Sequence, residues 1–507
     1  MDPGTRETCL FGTRQNTLNN LFNYLTDPSL PLGRNVIWLR GPAGSGKSTI
    51  LNTVAQHFSE LRRRGAFLFW NRTDPLNSDP LSVIRTLAFQ LAESNPIFAT
   101  KLAGRITQSP DITASTLDMQ FRHLLSEPLA ELAKGLNQGP TIIILDALDE
   151  CGTAESRSEL LGTLLAGLTK LPTMFRVLIA SRDEPDIRSA LSRLKVDIWD
   201  VPVGDESTSS DISQFLQQHF AKIVSHCETH NLPPNWPGEQ MIKKLVDLAN
   251  GLFIWASTTI HLIESGNPEE MLEKVMDASA DDPSLDTLYR VALTQFFHSS
   301  DGNKLNAVRS ILGAIVVARE QVTDNQLSQL LGLKLDVVQD ILSQLRRFTQ
   351  WDHGPVQVSH VSCTDFLCHI NQRHDMPWHI DESSHHNELA YGCFQIMERE
   401  LKFNICGIET SYYRNRDIDG IHERADEAIT PGLAYASRHW ADHLASGFIR
   451  ESGSHCLVDS VTNFINHRFL YWIELFSVKG QMSAVPVILS KAASWAGVRH
   501  LPRGWRQ

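Results

Sequence analysis

Gly41-Pro42-Ala43-Gly44-Ser45-Gly46-Lys47-Ser48-Thr49 follows an apolar run and precedes a helix-forming one. Its G-x-x-x-x-G-K-S spacing is what a backbone needs to wrap a phosphate. The glycines allow strained angles and close approach. The loop amides form an anion nest, and the helix beginning near Lys47 points its positive end at the same place. Lys47 would reach the β- and γ-phosphates of a nucleoside di- or triphosphate, and the Ser48 hydroxyl would ligate Mg²⁺. A second set of groups is Asp146-Ala147-Leu148-Asp149-Glu150, behind the apolar run Ile142-Ile143-Ile144-Leu145. Asp146 is the expected second anchor for Mg²⁺, through a water on the metal. Asp149 or Glu150 would orient or deprotonate an attacking water. Small Ala147 lets the chain turn beside the phosphate. The bland alternative is that these acids cap the helix starting near Ala154. Arg182, after the run 176–181, is a fixed cation suited to sensing a γ-phosphate and stabilising charge during transfer. Its bland alternative is a surface pair with Asp183 or Glu184. Arg72 is a lesser candidate of the same kind.

The elements that must position these groups alternate. Strands are expected at Arg34–Leu39, Ala66–Trp70, Thr141–Leu145, Phe175–Ala180 and Asp197–Val203, the second apolar almost throughout, as a strand buried on both faces should be. Helices are expected at Thr17–Leu25, Ser48–Leu61, Asp79–Ala92 and Asp118–Leu136. This alternation predicts an α/β P-loop fold with a parallel sheet in three layers, ligands collecting at the carboxyl ends of the strands. The Arg182 strand should run between the loop strand and the Asp146 strand.

From Asp205 the pattern becomes helical: Asp211–Ile223, Glu239–Ala249 and Leu252–Glu264. Leu305–Arg319, Asp324–Leu331 and Leu335–Phe348, then extended pieces Thr349–Trp351 and Pro355–Ser359, make a winged-helix plan. The remainder reads as mainly helical. The expected domains are a lead-in 1–34, an α/β nucleotide-binding domain 35–204, a helical domain 205–300, a winged helix 301–372 and a C-terminal helical region 373–507.

Length, 507 residues, exceeds one core, and 42% hydrophobic with 21% charged residues is ordinary globular composition. The net charge of -12 argues against nucleic acid or an anionic membrane as the main partner. Asp336 and Asp340 on the would-be recognition helix argue the same way, with Arg346 and Arg347 only at its far end. The eight cysteines are scattered with no C-x-x-C, as in a cytoplasmic protein with reduced thiols. No apolar run is long enough to span a bilayer. His360, Cys363, Cys368 and His369 lack a standard zinc spacing, and Phe366-Leu367 makes the stretch a packed helix. His374, His379, His385 and His386 read as a histidine-rich, loop-like run.

These residues resemble the NACHT-type STAND NTPases, and within them the large fungal group labelled as having a nephrocystin-3-like N-terminal domain. The resemblance runs through Cys9-Leu10-Phe11-Gly12-Thr13-Arg14, the loop 41–49, Leu145 to Glu150, and Arg176 to Arg182. It continues at Ala249 to Ala256, His360 to Leu367, Ala434 to Leu444 and Phe469 to Phe476. It implies that the lead-in with Arg14 closes over the adenine, and that His360 touches the β-phosphate of ADP. It implies ATP/ADP and Mg²⁺ as cofactors, slow hydrolysis, and a resting ADP-bound state that opens to homo-oligomers when an unknown protein partner or ligand prompts exchange. In fungi the family is associated with self/non-self recognition and programmed cell death. Two alternatives stand beside this switch: a scaffold that holds ADP without hydrolysing it, and a DNA-binding regulator with the same core. The chain departs from the family at Phe253, where relatives have proline, and at Ser362-Cys363, where Ser-Phe is common. The resemblance begins almost at Met1 and leaves no room for the effector and repeat domains that relatives carry.

Overall fold

The computed structural model describes residues 7–31, 34–70, 80–109, 111–112, 115–133, 139–194, 196–226, 232–264, 266–298, 302–346, 348–351, 354–358, 360–368, 376–410, 412–447 and 454–497. Arg72, Arg347, His369 and His374 lie outside them. The chain divides into two compact units, Met1–Ala292 and Leu293–Gln507.

The first unit is a five-stranded parallel sheet: β1 (Val36–Arg40), β2 (Arg64–Phe69), β3 (Thr141–Asp146), β4 (Phe175–Ser181) and β5 (Asp197–Asp200), in the order β2-β3-β4-β1-β5. In β1 to β4 the residues alternate between two cores, whereas the edge strand β5 exposes Ile198 on one face. Trp38, Leu68, Ile143 and Ile179 point into one, packed by the helices Val83–Ser94 and Ala154–Leu168. Ile37, Phe67, Ile144 and Leu178 point into the other, packed by Gln15–Thr26 and Lys47–Glu60. Period-2 alternation with apolar residues at both phases buries both faces and makes the three layers. β4 lies between β3 and β1, as expected. Arg40 pairs with Ser181 and Leu145 with Ile179, so the loop, Asp146 and Arg182 leave the sheet at one edge.

Where expectation and structure differ, the causes are local. β5 stops at Asp200, short of Val203. Val201 N–H still donates to Arg40 O at 2.9 Å, but Pro202 has no N–H to continue the ladder. The expected helix Asp118–Leu136 is broken into Leu117–Phe121, a π-type turn Arg122–Ser126 and Glu127–Ala133. Pro128 cannot donate to the preceding turn. The helices Pro96–Gln108 and Pro268–Asp281 were not anticipated. Each starts with proline at its first position after an asparagine whose side chain accepts two amides, Asn95 from Ile97 and Phe98, Asn267 from Glu269 and Glu270. That Asn-Pro start signal is visible in the sequence. The helical part of this unit also contains Glu206–His226, Glu239–Ala249 and Phe253–Glu264.

The second unit opens with helices Gly302–Val317, Asp324–Leu331 and Leu335–Gln344. β6 (Val322–Thr323), β7 (Thr349–Gln350) and β8 (Pro355–Val358) form an antiparallel sheet in the order β6-β8-β7. Helices make up the rest, centred on the pair Glu382–Glu400 and Pro431–Ser446. His385 and His386 lie in the first of these and are buried, not in a loop-like run. No helix among the described residues is long and apolar enough to cross a membrane.

Candidate functional site

The loop between β1 and the helix Lys47–Glu60 turns on two left-handed glycines, Gly44 at φ 75° and Gly46 at φ 88°. Gly46 precedes the helix with no side-chain cap, so the helix's first amides face the loop rather than a capping oxygen. Lys47 Nζ donates to the carbonyls of Gly41 and Pro42, both at 2.8 Å. Burial lowers its pKa, and Asp149 and Asp146 oppose that fall. Ser48 Oγ donates to Asp146 Oδ1 at 3.1 Å. The two expected magnesium ligands, 98 residues apart in the chain, are therefore in contact, and Asp146 is buried. A hydroxyl beside one buried carboxylate is a hard-oxygen donor set that fits Mg²⁺.

Ala147 takes the left-handed conformation, φ 58°, and starts a single helical turn, Leu148–Glu150. The acids do not cap the helix Ala154–Leu168. Thr153 does so, in a reciprocal box with Ser156. Asp149 is buried and directed at Arg182: Oδ1 accepts the Arg182 amide at 3.0 Å, and Oδ2 faces its Nε at 3.3 Å. Asp183 pairs with Arg188 and Arg40 instead. Trp38 Nε1 donates to Ser181 Oγ at 2.7 Å, and Ser181 Oγ donates to Arg182 O at 2.8 Å. The sequence held no signal for that support.

Arg14, expected on the adenine side, is buried at the first unit's lead-in, with φ 56°. Its Nη1 donates to Pro202 O at 3.0 Å and Thr208 Oγ1 at 2.8 Å, and its Nη2 to Ser45 O at 2.9 Å. Its amide donates to Asp211 Oδ2 at 2.9 Å, and its guanidinium lies 5.0 Å from the Phe253 ring centre. The departure at Phe253 thus supplies an aromatic face for a cation. The next residue touches the loop: Ile254 N–H donates to Gly44 O at 3.2 Å. The left-handed pair Asn250-Gly251 turns the chain into this approach. A Cβ on Gly251 would come within 2.3 Å of Gly204 N.

His360 belongs to the second unit. It stands before the helix Val361–Cys368, its Nδ1 accepting the Ser362 amide at 3.1 Å and lying 2.7 Å from Ser362 Oγ. An accepting Nδ1 puts the neutral ring's proton on Nε2. Burial pushes the Cys363 thiol up to about 12, which disfavours the thiolate a metal would need. No cluster of metal-ligating side chains occurs among the described residues.

Residues 13–182 match the family described as nephrocystin 3, N-terminal. They span the lead-in arginine, the loop, the acidic turn and Arg182. This segment, a third of the chain, is similar to a nephrocystin 3 N-terminal, NACHT-like P-loop NTPase domain. The chain is also similar to a STAND (signal transduction ATPase with numerous domains) protein with a tetratricopeptide repeat sensor from Pyrococcus horikoshii. The identity is 12% and the TM-score 0.43, over 98% of this chain and 66% of that one, so this chain spans just under two thirds of that protein. It also resembles Cdc6p from Pyrobaculum aerophilum, with 10% identity and a TM-score of 0.31 over 72% of this chain and 98% of that one. Drosophila ORC, in a structure bound to DNA, gives 12% identity and a TM-score of 0.31 over 71% and 87% of the respective chains. No curated protein matches the chain.

Proposed function

We propose that this chain is a nucleotide-dependent signalling switch of the STAND class, binding ATP or ADP with Mg²⁺ and hydrolysing ATP slowly. The observation that carries the reading is the meeting of Lys47, the Ser48–Asp146 pair and the Asp149–Arg182 pair at one edge of the parallel sheet. Ser48 and Asp146 would hold Mg²⁺, which neutralises charge on the phosphate oxygens when bound. Lys47 holds the terminal phosphates, and the loop amides of 43–49 cradle them. Arg182 distinguishes ATP from ADP by the γ-phosphate. Asp149 or Glu150 is the carboxylate assigned to the attacking water. Arg14 acts indirectly, through Ser45 and Phe253, by setting the loop against the helical segment.

The winged-helix assignment of 301–372 and the role of His360 at the β-phosphate of ADP rest on resemblance to the family. Exchange of ADP for ATP favours homo-oligomers, in cytoplasmic self/non-self recognition or cell-death signalling. Nucleic acid is disfavoured as a partner. Asp336 and Asp340 lie on the helix Leu335–Gln344, and Arg346 lies 5.8 Å from the Trp351 ring.

The test is fluorescent-ADP binding with sedimentation on the full chain. Lys47→Ala should weaken binding by at least about tenfold. His360→Ala should speed ADP release and shift the protein to larger species. Parent-like binding by Lys47→Ala refutes the nucleotide site. Unchanged release and sedimentation in His360→Ala refute the role assigned to His360.

A further inference from the structure

Arg157 sits in the helix Ala154–Leu168, and nothing in the sequence singles it out. It is buried, 4% exposed. Its Nη1 donates to the carbonyls of Asp149 at 2.8 Å and Cys151 at 3.2 Å. Its Nε and Nη2 both reach Asp186 Oδ2, at 2.9 and 2.8 Å. Asp186 lies in the first turn of the helix Pro185–Ser192, just beyond Arg182.

Two cross-links therefore join the same two segments. The Asp149 carboxylate takes the amide and Nε of Arg182, and the Asp149 carbonyl takes Arg157, whose other edge holds Asp186. The helix carrying Arg157 is already started by Thr153 and Ser156, so the guanidinium is not needed as a cap. A buried ion pair contributes little net stability against hydrophobic alternatives. What a planar five-donor fork does contribute is a fixed geometry between several acceptors.

We propose that Arg157 is a positioning residue for the γ-phosphate site. It holds the acidic turn 148–152 against the segment that carries Arg182, so that sensor and acids move as one body. The inference rests on the reading of Arg182 as a phosphate sensor given above. Lysine cannot replace Arg157, because one ammonium cannot span the turn carbonyls and Asp186 together.

The experiment measures the dissociation constants of fluorescent ATP and ADP analogues for the full-length parent, Arg157→Lys, Arg182→Ala and the double variant, with a thermal midpoint for each. Arg182→Ala should lower the preference for ATP over ADP about tenfold, the size of one charge-assisted hydrogen bond. Arg157→Lys should lower it at least about threefold with ADP affinity within about twofold of the parent. The double variant should be no worse than Arg182→Ala alone. An unchanged preference in Arg157→Lys overturns the proposal, as does a double variant whose loss is the product of the two single losses. An equal loss of both nucleotides with a lower midpoint marks a merely structural arginine and also overturns it. Where Arg157→Lys does not fold, Asp186→Asn opens the same cross-link from its other side and is judged by the same ratio. A parent that binds neither nucleotide refutes the nucleotide site itself, a different outcome from any of these.

Discussion

Arg14→Ala removes a guanidinium that touches four segments of the first unit. Its bonds go to Ser45 O in the loop, Pro202 O after β5 and Thr208 Oγ1 in the helix Glu206–His226, and its face covers Phe253. Charged hydrogen bonds contribute about 1.5–3 kcal/mol each, and an arginine–aromatic contact about 1 kcal/mol. Summing them would overcount, because the acceptors left behind are partly rehydrated in the space alanine opens. Breaking a buried charged network from one side costs about 3–5 kcal/mol, and we take about 4 kcal/mol. At about 2–4 °C per kcal/mol for a unit of this size, the first melting midpoint should fall by about 10 °C. A second variant isolates the backbone. Arg14 sits at φ 56°, a region that costs any residue with a Cβ about 1 kcal/mol. Arg14→Gly should therefore be about 1 kcal/mol more stable than Arg14→Ala. Scanning calorimetry and urea titration measure both. A midpoint for Arg14→Ala within about 2 °C of the parent would refute the claim that Arg14 ties these segments together.

Two further outcomes follow from particular contacts. A Cβ on Gly44 would lie 1.9 Å from Ile254 Cγ2, at φ 75°, so Gly44→Ala should destabilise by about 2 kcal/mol or more and weaken ADP binding. Adding Ile254→Ala should relieve the clash but leave the backbone cost of about 1 kcal/mol, and no recovery in urea titration would contradict the contact. The second unit should lose stability on acidification. Tyr435 Oη accepts the Arg319 amide at 3.2 Å and lies 2.9 Å from His443 Nε2, and His443 Nδ1 lies 2.9 Å from His386 Nδ1. Burial pushes His386 down to about 3 and His443 well below the usual histidine value. Arg319 adds to both shifts and Asp442 opposes them. Below pH about 6.5 the unfolded chain binds protons that these folded rings refuse. Stability therefore falls with pH, by up to about 1.4 kcal/mol per unit per ring. Burial also lowers His439, but bonds to Asp442 and Glu320 outweigh it and leave its pKa raised; it offsets part of the loss. A second-unit midpoint that rises between pH 7 and pH 5 would contradict this.

Much of the first unit is legible residue by residue. Apolar runs at both phases of a strand announce a sheet covered on both sides, and each was found within a few residues of its observed ends. The glycines of 41–46 and the lysine after them announce the loop, because few other backbones need glycine at those spacings. The misses have identifiable physical causes. Pro128 and Pro202 cut elements by removing donors, and Asn95-Pro96 and Asn267-Pro268 started helices whose signal was present but unused. The neighbours of His385 and His386 are polar and read as loop, whereas their helix buries His386 against Pro431–Ser446 and His385 against Gly302–Val317.

The roles within the site depend on more than residue type. From spacing, Asp149 and Glu150 are equivalent candidates, and Arg182 is one cation among neighbours of opposite charge. The strand order β3-β4-β1 sets Arg182 beside the turn from β3 and gives Asp149 to it. Arg14 is 194 residues from Thr208, and Phe253 reads as a departure from the family until the guanidinium is seen over its ring. Local sequence determined the chemistry available here: a glycine-rich loop with its lysine, a carboxylate suited to a hard cation, a further acid and an arginine. Only the tertiary structure decided which acid holds the arginine, which guanidinium ties the loop, and that Arg157 braces the acidic turn. Hydrogen-bond partners are chosen by position in space, and between residues far apart in the chain that position is set by strand order and packing.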